Sequence, residues 1–229
     1  MSKLTESLSE GLNTLTKNPS LLFPSIAPII VELLFAFLAN VVFPVRYEWV
    51  GFVVFTAPNF WLNILGSLIA SIVGFIASCM IVDMSNDAIN QNPVDLKKSM
   101  NVVTARLGTL IVAAIIAAIC AITIILIPVA LFIVTISILE GLDAVASAKK
   151  AFDFVIKNLG EVIVYIIIVI IVSAIVSLGF GSIPFVGSYL AAIIKWIMNV
   201  YFTVVSVHFY LSLGLSPTPP PPPPPPPPP

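Results

Sequence analysis

This chain of 229 residues contains 59% hydrophobic and only 9% charged residues, whereas soluble domains carry about 25% charged residues. The composition predicts an integral membrane protein and excludes a soluble globular domain. The net charge of −1 does not point to a partner, because membrane orientation depends on where Lys and Arg lie and hardly on the carboxylates.

The first predicted element is an amphipathic helix over about residues 3–17, which we expect to lie flat on the membrane. Four leucines recur at helical spacing: Leu4, Leu8, Leu12 and Leu15. Polar and apolar positions alternate through this segment instead of running from a basic start into an apolar core. We therefore expect a retained first span and no signal peptide.

Two predicted spans follow, over about residues 20–43 and 60–82, each long enough to cross a hydrocarbon core of about 30 Å. Residues 44–59 connect them and carry aromatic side chains of the kind that favour the membrane interface. Small residues in the second span predict close packing against another helix.

A second amphipathic helix is predicted after Pro93, with an apolar stripe of Leu96, Met100, Val103 and Leu107. The apolar run that follows is too long for one straight span and short for two. We interpret it as a short hairpin, with spans over about 108–125 and 128–140. A single crossing would place the second and third basic stretches on opposite sides of the membrane.

The third amphipathic helix has a predicted stripe of Val145, Ala148, Phe152, Val155 and Leu159. It leads into spans over about 161–178 and 188–213. The predicted fold class is therefore all-α. It is a polytopic membrane bundle within residues 1–214, with six transmembrane helices arranged as three hairpins, each preceded by a cytoplasmic amphipathic helix.

Basic residues concentrate in these three amphipathic helices. The predicted topology-setting or headgroup-binding residues are Lys17, Lys97, Lys98, Arg106, Lys149, Lys150 and Lys157. The positive-inside rule makes their side cytoplasmic, so we expect a multi-pass protein of the plasma membrane with both termini in the cytoplasm. The expected partners are the lipid bilayer and its anionic lipid headgroups.

Residues 215–229 are predicted to form a polyproline II tail, because consecutive prolines cannot continue a helix or strand. One reading is a stiff solvated tail or a linker. The alternative is a docking site for a proline-recognising protein.

The segment 138–160 combines Glu140-Gly141 at a span end with an alanine-rich helix and the sequence Lys157-Asn158-Leu159-Gly160. This pattern resembles prokaryotic families of uncharacterised polytopic membrane proteins related to the membrane domain that accompanies some glycerophosphodiester phosphodiesterases. The resemblance covers about residues 83–213. It implies a six-helix membrane domain and no agreed activity, and the phosphodiesterase chemistry is not expected to be inherited.

Two ionisable residues, Glu32 and Lys195, are predicted near mid-membrane, where each charge costs about 2.5–3.5 kcal/mol on insertion scales. We hypothesise that they form an ion pair, with Asn199 in the same polar cluster. The pair would either close the bundle structurally or relay protons or ions.

Asp83 and Asp87 stand four residues apart and share one helical face. They are interpreted either as solvated helix-end carboxylates or as a weak site for a divalent cation with a phosphate substrate. His208 has no co-ligands at suitable spacing. No catalytic residue, metal site, cofactor or nucleic-acid partner is predicted.

Three classes of function remain open from the sequence. The leading one is a non-enzymatic membrane protein that organises the membrane or binds lipid or partner proteins. The second is a transporter of ions or small solutes that uses Glu32 and Lys195. The third is a lipid-modifying enzyme that uses Asp83 and Asp87.

Overall fold

The computed structural model describes residues 3–49, 52–123, 126–181, 183 and 186–214, and this part of the chain is predominantly helical. Its helices are α1 (Lys3–Lys17), α2 (Phe23–Phe37), α3 (Phe60–Ile89), α4 (Leu96–Ala105), α5 (Leu107–Ile122), α6 (Ile127–Glu140), α7 (Ala144–Lys157), α8 (Leu159–Gly181) and α9 (Gly187–Gly214). A 3-10 turn, Pro19–Leu22, precedes α2, and a π-helical turn, Leu38–Val42, extends it. The prediction of a helical membrane bundle is confirmed at this level.

Four segments in the described residues are long and apolar enough to cross a membrane: Pro19–Val42, Phe60–Ile89, Leu159–Phe180 and Tyr189–Leu213. The number rises to six if each of two bent helix pairs counts as one span. These pairs are α4 with α5, bent by 75°, and α6 with α7, bent by 120°. The chain is therefore built as a multi-pass membrane protein.

The connection after the first span contains a small antiparallel sheet, which the sequence analysis did not predict within the otherwise helical bundle. Strand β1 (Val45–Trp49) pairs with β2 (Phe52–Ala57), and the register shifts between Tyr47 and Glu48. The β2 segment is rich in Val, Phe and Thr, which fit a pleated surface better than a helix. The sequence reading assigned these residues only an interfacial role.

Side-chain caps set several helix ends. Asp95 Oδ1 accepts the backbone N–H of Lys97 at 2.8 Å, and Asp143 Oδ1 accepts the N–H of Val145 at 2.9 Å. Gly141 ends α6 with φ +67°, a left-handed conformation that glycine adopts without strain. No such signal stops α3 at the predicted residue 82, and this helix continues to Ile89.

Helix α9 is central to the packing, since it contacts α1, α2, α3 and α8. One buried cluster joins α6, α7, α8 and α9 through Phe132, Phe154, Tyr165 and Phe209. The ring centroids of Phe132 and Phe154 lie 4.9 Å apart. A second cluster joins α3, α4 and α9.

Helix α1 packs on the bundle through a face that shares only Leu4 with the predicted leucine stripe, which was expected to lie against the membrane. The buried positions are Leu4, Ser7, Gly11 and Thr14, whereas Leu12 is 55% exposed. A Cβ on Gly11 would lie 2.6 Å from Val205 Cγ2. Small residues therefore bring α1 close to α9, and a large leucine side chain is left exposed.

Candidate functional site

The Glu32 carboxylate is held by a tryptophan, and the expected ion pair with Lys195 is wrong. Trp196 Nε1 donates a hydrogen bond to Glu32 Oε2 at 2.7 Å. The ion pairs among the described residues are Lys98–Asp87 and Lys150–Glu140. Adjacent helical residues point about 100° apart at 3.6 residues per turn, and Lys195 projects from another side of α9 than Trp196.

Trp196 reaches Glu32 because the neighbouring helix carries a glycine. A Cβ on Gly74 would lie 2.0 Å from Trp196 Cη2, so the indole ring occupies the space that any larger residue in α3 would fill. The small residues of this span were correctly interpreted as positions of close packing. No pattern in the sequence identified which side chain would pack on them.

A polar cavity of about 260 Å³ adjoins Glu32 between α2, α3 and α9. Its polar lining side chains are Glu32, Asn40, Asn63, Ser67 and Tyr189. One carboxylate surrounded by amides and hydroxyls suits a cation or a small hydrogen-bonding solute. The cavity lies near the β1–β2 end of α2, since Pro58, which directly follows β2, also lines it.

Lys195 and Asn199 form a separate site on another side of α9. Both are exposed, and both line a cavity of about 280 Å³ together with Ser173 of α8. Asn199 Nδ2 donates to Ser78 Oγ at 3.2 Å. The structure therefore brings Lys195 and Asn199 together and separates them from Glu32.

The acidic pair of α3 is bonded to α4. Lys98 Nζ lies 2.6 Å from Asp87 Oδ2, and Ser99 Oγ donates to Asp83 Oδ2 at 2.6 Å. The hydrogen bond to Asp87 raises the pKa of Lys98 above its ordinary value of 10.5. Among the described residues no group of three or more His, Cys, Asp or Glu side chains could hold a metal ion.

Arg106 joins two helix corners. Its Nη1 donates to the Ser137 carbonyl at 2.6 Å and its Nη2 to the Leu142 carbonyl at 2.7 Å. These carbonyls lie at the end of α6, where backbone acceptors lack helical partners. The arginine therefore fastens the start of α5 to the turn between α6 and α7.

Helix α7 has three different faces. The buried face consists of Ala144, Ser147, Ala151, Phe154 and Val155. An exposed apolar face consists of Val145, Phe152 and Ile156. The remaining positions carry Lys149, Lys150, Asp153 and Lys157. The predicted single stripe is therefore wrong, because Val155 faces the bundle while Val145 and Phe152 face away from it.

The charged side of α7 borders an open groove of about 640 Å³, which we call the α7 groove. Its polar lining residues are Lys149, Lys150, Asp153, Lys157, Asn158 and Tyr210. Lys150 Nζ lies 2.5 Å from Glu140 Oε2, and Tyr210 donates to the other oxygen of that carboxylate. Lys149 and Lys157 keep their charges available to an anion.

The other predicted basic residues of the amphipathic helices, Lys17 and Lys97, are exposed. His208 Nε2 lies 2.8 Å from Thr14 Oγ1, which ties α9 to α1. The predicted polyproline tail, residues 215–229, lies outside the described residues.

Comparison with protein-family models, with curated proteins and with solved structures finds no match to this chain.

Proposed function

We propose that this is a non-enzymatic plasma-membrane protein whose helices α1, α4 and α7 attach to the anionic headgroups of the cytoplasmic leaflet. The observation that supports it best is the division of α7 into a face packed on the bundle, an exposed apolar face and a lysine-bearing face. A helix with exposed apolar residues beside lysines lies stably in the membrane interface. The relationship to the phosphodiesterase-associated membrane domains stays a prediction.

The other two helices of this layer share the arrangement. In α4, Ser99 and Val103 are buried while Leu96 and Met100 are exposed. In α1 the exposed apolar side chain is Leu12. Each lysine near an anionic surface contributes about 1 kcal/mol to the attraction. The bonds from α4 to Asp83 and Asp87 support a structural role for these carboxylates rather than an enzymatic one.

Spin labels along α7 test the proposed immersion in nanodiscs. Labels placed by Phe152→Cys and Ile156→Cys should be accessible to oxygen, and one placed by Asp153→Cys should be accessible to a water-soluble nickel chelate. Equal exposure of all three labels to the chelate would contradict an interfacial α7.

The headgroup preference is tested with nanodiscs that contain or lack phosphatidylglycerol. Replacing Lys149, Lys150 and Lys157 by Gln should weaken phosphatidylglycerol enrichment about 30-fold, from about 1 kcal/mol for each of Lys149 and Lys157, since Lys150 is already paired with Glu140. Lys17→Gln is the single-site control and should weaken it about fivefold. Unchanged enrichment in the triple variant would refute the proposal.

A second candidate function is passage of a cation or proton through the Glu32 cavity. The cavity favours it because ionisable residues inside membrane spans commonly mark ion or substrate paths. Proteoliposomes with an internal pH dye should then show proton flux that Glu32→Gln abolishes. Glu6→Gln, a change at an exposed position of α1, should leave the flux intact. Absence of flux in the unmodified protein would remove this candidate.

A further inference from the structure

Lys195 is a membrane-embedded cation that forms no ion pair with any residue that the structure describes. It lies six residues after Tyr189, where the last candidate span begins, so it is about 9 Å along the helix from that end. Within the described part of the chain it takes part in neither of the ion pairs. A lysine at this depth is costly unless an anion or a polar surface accompanies it.

The surroundings of Lys195 form a groove along α9. Its cavity of about 280 Å³ adjoins a second one of about 230 Å³, and the two share Val169, Asn199 and Phe202. The polar residues that line the two cavities are Ser78, Thr135, Ser173, Lys195, Asn199, Thr203 and Ser206. Four of them, at positions 195, 199, 203 and 206, follow one side of α9 at helical spacing. We call this feature the α9 groove.

The rest of the cavity around Lys195 is apolar. Its apolar lining side chains are Val169 and Val176 of α8 and Met198 and Phe202 of α9. In a bilayer such side chains contact acyl chains. The environment therefore combines one cation, several hydrogen-bonding groups and a hydrocarbon surface. A ligand that matches all three has an anionic head and apolar tails.

We propose that the α9 groove binds a phospholipid, with the phosphate at Lys195, the polar ester region at Asn199 and Ser173, and the acyl chains along α8. The long lysine side chain suits this role because it buries its methylene stem and extends its ammonium toward the headgroup layer. Helical side chains tilt toward the helix N-terminus. For Lys195 that is the end of α9 nearer to it along the span, so the tilt directs the ammonium toward the headgroups at that membrane surface. The site is distinct from the α7 groove, which is lined by the opposite end of α9.

Native mass spectrometry of the full chain, purified with added phosphatidylglycerol, tests the proposal. The unmodified protein should retain a phospholipid that Lys195→Met weakens about tenfold or more, as expected for a lost charge-assisted hydrogen bond. Lys195→Arg should retain it, and Arg46→Met, which removes an exposed cation of β1 outside both grooves, is the matched control. Asn199→Leu should weaken binding while leaving the cation in place.

Several outcomes would overturn the proposal. One is equal lipid retention by the Lys195→Met and Arg46→Met variants, and another is no retained lipid in the unmodified protein. Displacement by inorganic phosphate would assign Lys195 to a soluble anion. Displacement of equal strength by diacylglycerol, which lacks the phosphate, would show that only the acyl chains are recognised. A dimer that Lys195→Met dissociates would assign the groove to a second copy of the chain.

Discussion

The hydrogen bond between Trp196 and Glu32 gives the sharpest stability prediction. Trp196→Phe keeps an aromatic ring beside Gly74 and removes the indole N–H, whereas Glu32→Ala removes the acceptor. Bonds to charged groups contribute about 1.5–3 kcal/mol in soluble proteins. Measured couplings in a membrane protein average about 0.6 and reach about 1.7 kcal/mol. Because this acceptor is a carboxylate, we expect a coupling of about 1–1.7 kcal/mol, at the upper end of the membrane range.

The coupling is measured by a double-mutant cycle with reversible unfolding in mixed detergent–SDS micelles, followed by circular dichroism. Trp61→Phe is the control for loss of an indole, because Trp61 is 76% exposed and should couple to Glu32 by less than about 0.5 kcal/mol. A Trp196–Glu32 coupling as small as that of the control would refute the reasoning. Glu32→Gln should raise stability by about 1 kcal/mol, since it removes a charge from a membrane span and keeps an acceptor.

Three further changes test the packing, the helix corner and the α3–α4 contact. Gly74→Ala should lower the unfolding free energy by about 1–3 kcal/mol through overpacking. Gly108→Ala is the control in open space and should raise the unfolding free energy by about 0.5–1 kcal/mol. The same SDS titration measures both variants, and equal effects would contradict the close contact between Gly74 and Trp196. Arg106→Gln should cost about 1.5–3 kcal/mol for the lost carbonyl bonds, and an unchanged midpoint would contradict its role at the corner. Because the folded pKa of Lys98 is raised, its contribution is full below about pH 10.4 and is lost as pH rises through the folded pKa. A thermal-melting series should therefore fall more steeply above that pH in the unmodified protein than in Lys98→Met, and parallel curves would contradict this.

The ends of the first and last spans could be predicted because they depend on the lengths of apolar runs, whereas α3 continues past its predicted end at residue 82. The predicted segments 20–43 and 188–213 agree closely with Pro19–Val42 and Tyr189–Leu213. The rotation of each helix about its own axis could not be predicted in this way. Glu32 and Lys195 were predicted at similar depths, and Trp196, the residue next to Lys195, does reach Glu32. Neighbouring side chains of a helix point about 100° apart, however, so Lys195 lies in another groove.

The residues that pack the amphipathic helices on the bundle could not be predicted from hydrophobic periodicity, which identified only the apolar stripes expected to face the membrane. In a soluble protein the apolar stripe of a helix packs against the protein because this removes it from water. Lipid is as apolar as leucine, so a leucine in a bilayer gains no hydrophobic free energy by facing the protein. Small residues then occupy the contacts between helices, as Gly11 does against Val205, and large ones face outward. The same argument accounts for the exposure of Leu12 and Phe152.

The length of the α5–α6 hairpin has consequences for the topology. Helix α5 has 16 residues and α6 has 14, so they rise about 24 Å and 21 Å against a core of about 30 Å. The two helices pack on each other, and Arg106 at the start of α5 bonds carbonyls at the end of α6. The hairpin therefore starts and finishes at one membrane surface whether it crosses the core or enters only part of it. A full crossing and a partial entry by this hairpin both place α1, α4 and α7 on the same side, so the shared sidedness of the three lysine-bearing helices does not depend on how deeply the hairpin enters.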